Sequence, residues 1–334
     1  MTLPVENATG TAMRPIAVVD VGSNSICLLV LQPLADGGWT VVDKLKDTAR
    51  LRADIGADGA LSAAGLERAV AALVRFRAAA DAAGAEVCAV ATAALRAATN
   101  ADEFLGRARV EAGIAVEVIS GHEEARLAYL GVLQGMAPVA ADVLCADVGG
   151  GSTELLLGEG RRALRTASIP IGALVVTRTW IGADPVLPTA IDRARDGLLA
   201  AFLPELEGFR GAIAARSGPL VGIATSGTIQ RVARIARALG STTAPIPDGD
   251  ADVQGLILTR DDMQGVVAAL VAAPTNEARQ RIPGMDASRA DILLGGALIH
   301  EVVADGLGLS NWTVSMAGLR MGIAADVRIR RGLG

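Results

Sequence analysis

Lysine is almost missing from this 334-residue chain: Lys44 and Lys46 stand alone among 31 basic residues, and the rest are arginine. With alanine so abundant, that imbalance reads as a nucleotide-composition bias, so the arginines are no nucleic-acid signal. A net charge of −5 argues the same way, because general nucleic-acid binders carry basic surfaces. A polyanionic ligand stays open, provided arginines converge on one cleft. Aromatics make up 2% of the residues, and the Trp and Tyr positions form no stacking stripe for bases. His122 and His300 are the only histidines, too few for phosphohistidine or metal-histidine chemistry, and His300 lies in an apolar helical run. Cys27, Cys88 and Cys145 have no zinc or redox spacing. They read as small buried hydrophobes in a reducing compartment. Every apolar run is interrupted well short of the ~20 residues a membrane span needs. Residues 1–13 are polar, without a signal-peptide pattern, and read as a disordered extension. The expectation is a soluble cytoplasmic protein with no nucleic-acid and no membrane partner.

What the chain does have is the same loop twice. Asp20-Val21-Gly22-Ser23-Asn24-Ser25-Ile26-Cys27-Leu28-Leu29 returns as Asp147-Val148-Gly149-Gly150-Gly151-Ser152-Thr153-Glu154-Leu155-Leu156, with six identities over ten positions. Each copy is an apolar strand ending in Asp, a turn of small residues, and a second apolar strand. Such a hairpin tip gathers backbone N–H groups and small hydroxyls into a nest for phosphate oxygens. An Asp on its rim repels bare phosphate, which calls for a divalent cation between them, Mg²⁺ first and Mn²⁺ second. Two ordinary glycine turns are the bland alternative, weakened by the six identities.

Length and duplication together give two domains, with 14–137 holding the first loop, 138–334 the second, and Pro138 in the linker. The first half reads as strands Ile16–Val21, Ile26–Gln32 and Trp39–Lys46, with a turn at Asp36-Gly37-Gly38, then a helix over Leu61–Ala83 capped by Ser62. A strand at Glu86–Ala91, a helix at Ala101–Glu111, a strand at Ala115–Ile119 and a helix at Glu123–Gln134 follow. The second half restarts with strands Asp142–Asp147, Glu154–Leu157 and Ala163–Pro170. Helices at Gly172–Trp180 and Ala190–Leu203 lead to a strand at Leu220–Ala224 and a helix opening at Ser226-Gly227-Thr228. Ser241–Asp250 is a loop, and the remainder is mostly helical, most clearly over 289–306 and 316–331. The fold class is α/β, two related halves with mixed sheets and a cleft between them.

Chemistry at a phosphoanhydride requires charge neutralisation, an in-line grip and an activated water. Asp147 and Glu154 flank the second loop and make a reasonable Mg²⁺ shell. Cys27 stands where Glu154 would be in the first copy, so the metal belongs nearer the second loop. Ser120-Gly121-His122-Glu123-Glu124 opens a helix, with Ser120 as cap and Glu123 as its capping-box partner. Acid in a first turn also suits the helix dipole. Placement beside the linker makes Glu124 a general-base candidate. Arg96 follows a strand end, where a guanidinium fork reaches phosphate or simply lies on the surface.

The combined order of these motifs resembles the exopolyphosphatase and guanosine pentaphosphate phosphohydrolase (Ppx/GppA) family of the actin/sugar-kinase/chaperone superfamily. The carriers are the two loops, Ala91-Thr92-Ala93-Ala94-Leu95-Arg96, Ser120–Leu127, Ser226-Gly227-Thr228, Arg289-Ala290-Asp291 and Val314–Arg320. The resemblance implies two ribonuclease-H-like domains with an interdomain cleft, Mg²⁺ dependence (Mn²⁺ and an added monovalent cation left open) and, often, a homodimer. Residue by residue, it makes Glu124 the catalytic carboxylate and gives the metal to Asp147 and Glu154. Phosphate contacts fall to Asp20, Gly22, Ser23, Asn24, Ser25, Arg96, Gly149, Gly150, Gly151, Ser152, Thr153, Ser226, Gly227 and Thr228. Family members often carry a basic residue or His at the Cys27 position, so the resemblance implies one phosphate contact fewer here.

The favoured expectation is an exopolyphosphatase acting on inorganic polyphosphate and preferring shorter chains, since the C-terminal helical domain of long members has no counterpart here. The alternatives are a guanosine pentaphosphate phosphohydrolase, which needs a base pocket that the sequence does not locate, an ATP-dependent kinase with its adenosine site near Ser226-Gly227-Thr228, and a non-catalytic polyphosphate or nucleotide sensor. The intact Glu124, Asp147 and Glu154 speak against the last.

Overall fold

Each half of the chain builds the same strand order around its loop. In the first, β1 (Ile16–Val21), β2 (Ile26–Pro33) and β3 (Trp39–Asp47) form an antiparallel meander. Helix α1 (Ala63–Ala82) carries the chain to β4 (Glu86–Ala91), parallel to β1. After α2 (Ala93–Ala97) and α3 (Ala101–Glu111), β5 (Val116–Val118) pairs in parallel with β4. Helix α4 (Gly121–Gly135) leads into the second meander, β6 (Asp142–Val148), β7 (Thr153–Glu159) and β8 (Arg162–Ile169). Then come α5 (Ala173–Val176), running on as a π-helical turn to Ile181, α6 (Pro188–Ala214), β9 (Leu220–Thr225) and α7 (Ser226–Ala238). β10 (Ile257–Thr259), α8 (Arg260–Ala272), α9 (Asn276–Gln280), α10 (Leu293–Leu307), β11 (Asn311–Val314) and α11 (Leu319–Arg330) complete the chain. This computed structural model describes residues 14–35, 37–137, 140–182, 184–240 and 253–332. The 1–13 extension, Asp36 of the first turn, Pro138 of the linker and the 241–250 loop, all read from sequence above, lie outside the described residues.

The first sheet runs β3-β2-β1-β4-β5, and the second repeats this as β8-β7-β6-β9-β11, with β10 added at its edge. That is the ribonuclease-H-like order expected of both halves. β1 and β6 lie inside their sheets and are covered on both faces, which explains why they read as nearly unbroken apolar runs. The caps also follow the sequence. Ser62 accepts from Gly65 N and Ser120 from Glu123 N, each a bond whose loss costs ~1 kcal/mol. The expected capping box at Ser120 is only half formed, because the Glu123 carboxylate takes Arg126 instead.

Four elements differ from expectation, the first being the short helix α2, which the sequence reading lacks. Helix α6 does not stop at Leu203 but continues through Pro204 to Ala214, because Leu206 and Phe209 extend its buried stripe. The short strands β10 and β11 are absent from the sequence reading, their three and four residues being too few to show alternation. Of the cysteines, Cys145 is buried, but Cys27 and Cys88 are only half-buried. No described helix is long and apolar enough to cross a membrane.

The two sheets have separate cores. Val19, Leu28, Leu73 and Phe76 belong to one, and Leu144, Leu155, Phe202 and Leu298 to the other. Between them lie α4 and α11. Leu127 and Ile323 cover the β1 face of the first sheet, while Ala125 and Tyr129 cover the β6–β7 face of the second. The last helix therefore returns to the first sheet. Small residues set the crossing of α4 and α11: a Cβ on Gly131 would collide with the Gly318 carbonyl, and one on Gly322 with the Leu127 carbonyl. Backbones meet directly there, and that fixes how the two halves sit around the cleft.

Candidate active site

The two loops meet tip to tip at the mouth of this cleft. Each turn is closed by the same bond, Gly22 N to Ser25 O at 3.1 Å and Gly149 N to Ser152 O at 3.0 Å. A side chain on Gly150 would press on Asn24, and one on Gly151 would overlap Ser23, so only glycine permits this approach. The tip carbonyls are drawn backwards in both copies. Arg50 N and Arg52 N bind Asn24 O and Ser23 O, as Ala173 N and Leu174 N bind Gly149 O and Gly150 O. With the carbonyls so engaged, the tip N–H groups of Ser23, Asn24, Gly150 and Gly151 have no acceptor among the described residues. Ser23 Oγ and Asn24 Oδ1 are buried and lack a hydrogen-bond partner among the described residues. Donors left unmatched are costly, and the tip N–H groups with the Ser23 hydroxyl make a nest for an anion, whereas Asn24 Oδ1 is an acceptor and needs a donor of its own.

Four carboxylates line the same place. Asp20 ends β1 opposite Cys27, and Asp147 ends β6 opposite Glu154. Burial pushes Asp20 up to about 6, with Arg320 opposing, and pushes Asp147 up to about 7, with the Asp20 charge adding to it. Glu124, in the first turn of α4, is likewise pushed up to about 7 by burial against the pull of Arg96. Glu154 is raised by burial and by the charges of Glu124 and Asp147, while Ser152 and Ser168 hydrogen-bond its charged form. Loss of solvent raises all four, and for Asp147, Glu124 and Glu154 the charges of neighbouring acids add to it.

Arg96, at the end of the short α2, joins two of these acids. Its Nη1 donates to Glu124 Oε2 at 2.6 Å and to the Ile119 carbonyl, and its Nη2 stands 3.8 Å from Glu154 Oε1. The donor set at this end is carboxylate and hydroxyl, without imidazole or thiolate, which is what a hard cation takes. No described group of three or more His, Cys, Asp or Glu forms a ready-made cage. A cation that keeps several waters and shares substrate oxygens needs none.

Some expected phosphate contacts are turned elsewhere. Thr153 is fully buried and donates to the Ile171 carbonyl. Ser226 and Thr228 both donate to the Val148 carbonyl, tying the start of α7 to the end of β6. Gly227 stays at the site, with the Arg289 guanidinium packed where a side chain would stand. His122 is exposed, and His300 is buried in the second core against Trp312, its burial lowering it to about 3.

Arg320 is the functional candidate that residue-type reasoning passed over. It lies in the first turn of α11, and its charge acts on Asp20, Asp147 and Cys27 together. Its signal was an arginine two residues after Gly318, at the start of a helix, but only the return of α11 to the first sheet shows what it faces. On the flank, Arg50 pairs with Asp291 at 2.6 Å, and Arg178 donates to the Arg52 and Ala53 carbonyls, so side chains of one half grip the other.

A family model described as the Ppx/GppA phosphatase family matches residues 30–329. Over 309 residues the chain is 29% identical to Exopolyphosphatase 1 of Mycobacterium leprae, covering 92% of this chain and 88% of that protein. Exopolyphosphatase 1 of Mycobacterium tuberculosis gives the same identity and length, with 86% of that protein covered. Among solved structures, an exopolyphosphatase from Cytophaga hutchinsonii has a TM-score of 0.83 at 26% identity, over 96% of this chain and 99% of that one. The Aquifex aeolicus member of the Ppx/GppA family has a TM-score of 0.77 at 28% identity, over 95% and 98%.

Proposed function

The chain belongs to the Ppx/GppA phosphatase family, and on that premise we propose that it is an exopolyphosphatase, releasing orthophosphate from the ends of inorganic polyphosphate. The observation that carries this reading is the tip-to-tip apposition of Ser23–Asn24 and Gly150–Gly151 beside Glu124. Unmatched N–H groups there suit the equatorial oxygens of a terminal phosphoryl group, and a carboxylate titrating near neutrality suits a general base.

In this mechanism the terminal phosphoryl group sits in the nest between the loops. Glu124, held by Arg96 on one oxygen, takes the proton of an attacking water as the new P–O bond forms and the bridging P–O bond breaks. Arg96 then partners the protonated Glu124 or the departing orthophosphate. We propose Mg²⁺ as the resident ion, held by Asp147 and Glu154 directly or through water, where it supplies charge neutralisation between the carboxylates and the phosphate oxygens. The raised carboxyls support that part, since a cation relieves the repulsion that keeps them protonated.

Polyphosphate is favoured over a nucleotide because the aromatic side chains are engaged elsewhere. Trp312 is buried in the second core, Trp180 packs on Gly197, Trp39 lies under Arg328, and Tyr129 donates to Gly160 O. None of these offers a base a stacking surface beside the loops. Orthophosphate release from long-chain polyphosphate, guanosine pentaphosphate and ATP tests the reading. The expected result is the highest kcat/KM on polyphosphate, and a higher value on guanosine pentaphosphate would overturn it.

A further inference from the structure

The duplicated loops sit in equivalent rungs of their sheets, and the two rungs carry opposite chemistry. Across β6, β7 and β8 the directly opposed residues are Asp147, Glu154 and Ser168. Across β1, β2 and β3 they are Asp20, Cys27 and Lys46. Residues opposed in this way share a face of the sheet. One rung is therefore acid, acid, hydroxyl, and the other acid, thiol, ammonium. The Cys27 slot has no charge of its own, and its neighbour on β3 brings one of the chain's two lysines to the same face.

Lys46 is met from the other half of the molecule. Its Nζ lies 3.8 Å from Asp286, which also receives Arg231 at 3.5 Å. Arg289, packed over Gly227, and Arg320 complete a group of cations around Cys27. Burial lowers Lys46 from its ordinary value, the Arg289 charge lowers it further, and Asp286 opposes both. Cations gathered from both halves with Asp286 between them are better satisfied by an added anion than by one another.

We propose that the polyphosphate runs from the Glu154 rung to the Cys27–Lys46 rung, so that Lys46, with Arg289, holds the phosphates behind the scissile bond. This rests on the polyphosphate reading above and adds to it a direction for the polymer and a residue that senses its length. Pyrophosphate, seated between the loop tips, ends before Lys46. A longer chain reaches it and gains a charge-assisted contact.

The test is equilibrium binding of pyrophosphate and of long-chain polyphosphate to the wild-type protein and to Lys46→Gln, Lys46→Arg and the double variant Cys27→Lys/Lys46→Gln. Lys46→Gln should weaken the long chain by about tenfold, the loss of one partly exposed charge-assisted bond, and pyrophosphate by less than about twofold. Lys46→Arg should keep most of the long-chain affinity. The double variant should restore it, because the charge returns to the same face from the adjacent strand. Equal losses for both ligands, no loss for either, or recovery in neither rescue variant would overturn the proposal. Wild-type orthophosphate release is measured beside it. Turnover with a length-independent Lys46 effect defeats only this inference. A length-dependent effect without turnover leaves it standing and defeats the hydrolase reading.

Discussion

Arg96 Nη1 donates to Glu124 Oε2 at 2.6 Å, so the candidate phosphate ligand and the candidate base are bonded to each other. An arginine in such contact ordinarily holds a carboxyl low. Here burial wins, and Glu124 is pushed up to about 7. The pair also leaves the second Glu124 oxygen uncommitted to Arg96 while fixing the plane of the carboxylate. A base with that affinity for protons and a fixed direction is suited to accept one from water near neutral pH.

Glu124→Gln keeps the shape and the Arg96 contact but removes the proton acceptor. Turnover should fall by roughly 10²–10⁴ with polyphosphate binding retained. Initial rates and equilibrium binding on the same preparation check both halves. Near-full activity in the variant would move the base elsewhere.

Asp147→Ala and Glu154→Ala should each raise the Mg²⁺ concentration needed for half-maximal rate as well as lowering the maximum. The reason is their direct cross-strand pairing at the second loop, where the buried Glu154 and the half-buried Asp147 need a cation to ionise together. A metal titration unchanged in both variants would exclude these two residues as its ligands.

Much of the site was legible because the duplication is local. Asp20, Asp147 and Glu154 lie within a few residues of their glycine turns, and hairpin register places them without further information. Ser62 and Ser120 cap the helices they precede. What sequence could not supply was the side of the molecule to which distant segments return. Arg320 acts on Asp20 only because α11 packs back on β1, and Arg289 reaches the loops only because Gly227 leaves it room. The hydroxyls of Thr153, Ser226 and Thr228 carried the right chemistry for phosphate. They were nonetheless taken by nearby carbonyls, a competition that residue type does not reveal.

The helix crossing gives a prediction that no motif suggests. Gly131→Val would drive a branched side chain into the Gly318 carbonyl and the backbone of Gly322. Since α4 and α11 hold the two halves together, the variant should lose about 1–3 kcal/mol or more of stability in denaturant unfolding. Gly106→Val is the comparison, because that helical glycine has open space where a Cβ would stand. It should cost less, with only propensity and side-chain freedom at stake. Equal losses at the two positions would show that the crossing tolerates separation.

The half-buried aspartates of the two loops make metal-free stability depend on pH in an unusual direction. Asp20 and Asp147 have folded-state values of about 6 and about 7, both far above the ordinary 3.8, with burial as the main cause. The folded protein thus keeps protons that the unfolded chain has released. Stability from those protons is complete below the ordinary value and is lost as pH rises through about 6 and then about 7. Each group contributes a slope of up to roughly 1.4 kcal/mol per pH unit inside that window. A carboxylate held low, such as Asp286, where burial is outweighed by hydrogen bonds from Ser288 and then by the Lys46 and Arg231 charges, acts at more acidic pH and with the opposite sign. Melting of the metal-free protein should therefore fall in temperature from about pH 5 to about pH 8, where most surface carboxylates have finished titrating. Asp20→Asn, which imitates the protonated acid, should flatten the slope and melt higher than wild type at the alkaline end. Saturating Mg²⁺ should flatten the wild-type slope as well, by giving the ionised acids a partner. If the metal-free protein melts at one temperature across this range and Asp20→Asn changes nothing, the two aspartates are solvated rather than enclosed, and the closed meeting of the loops is not the resting state in solution.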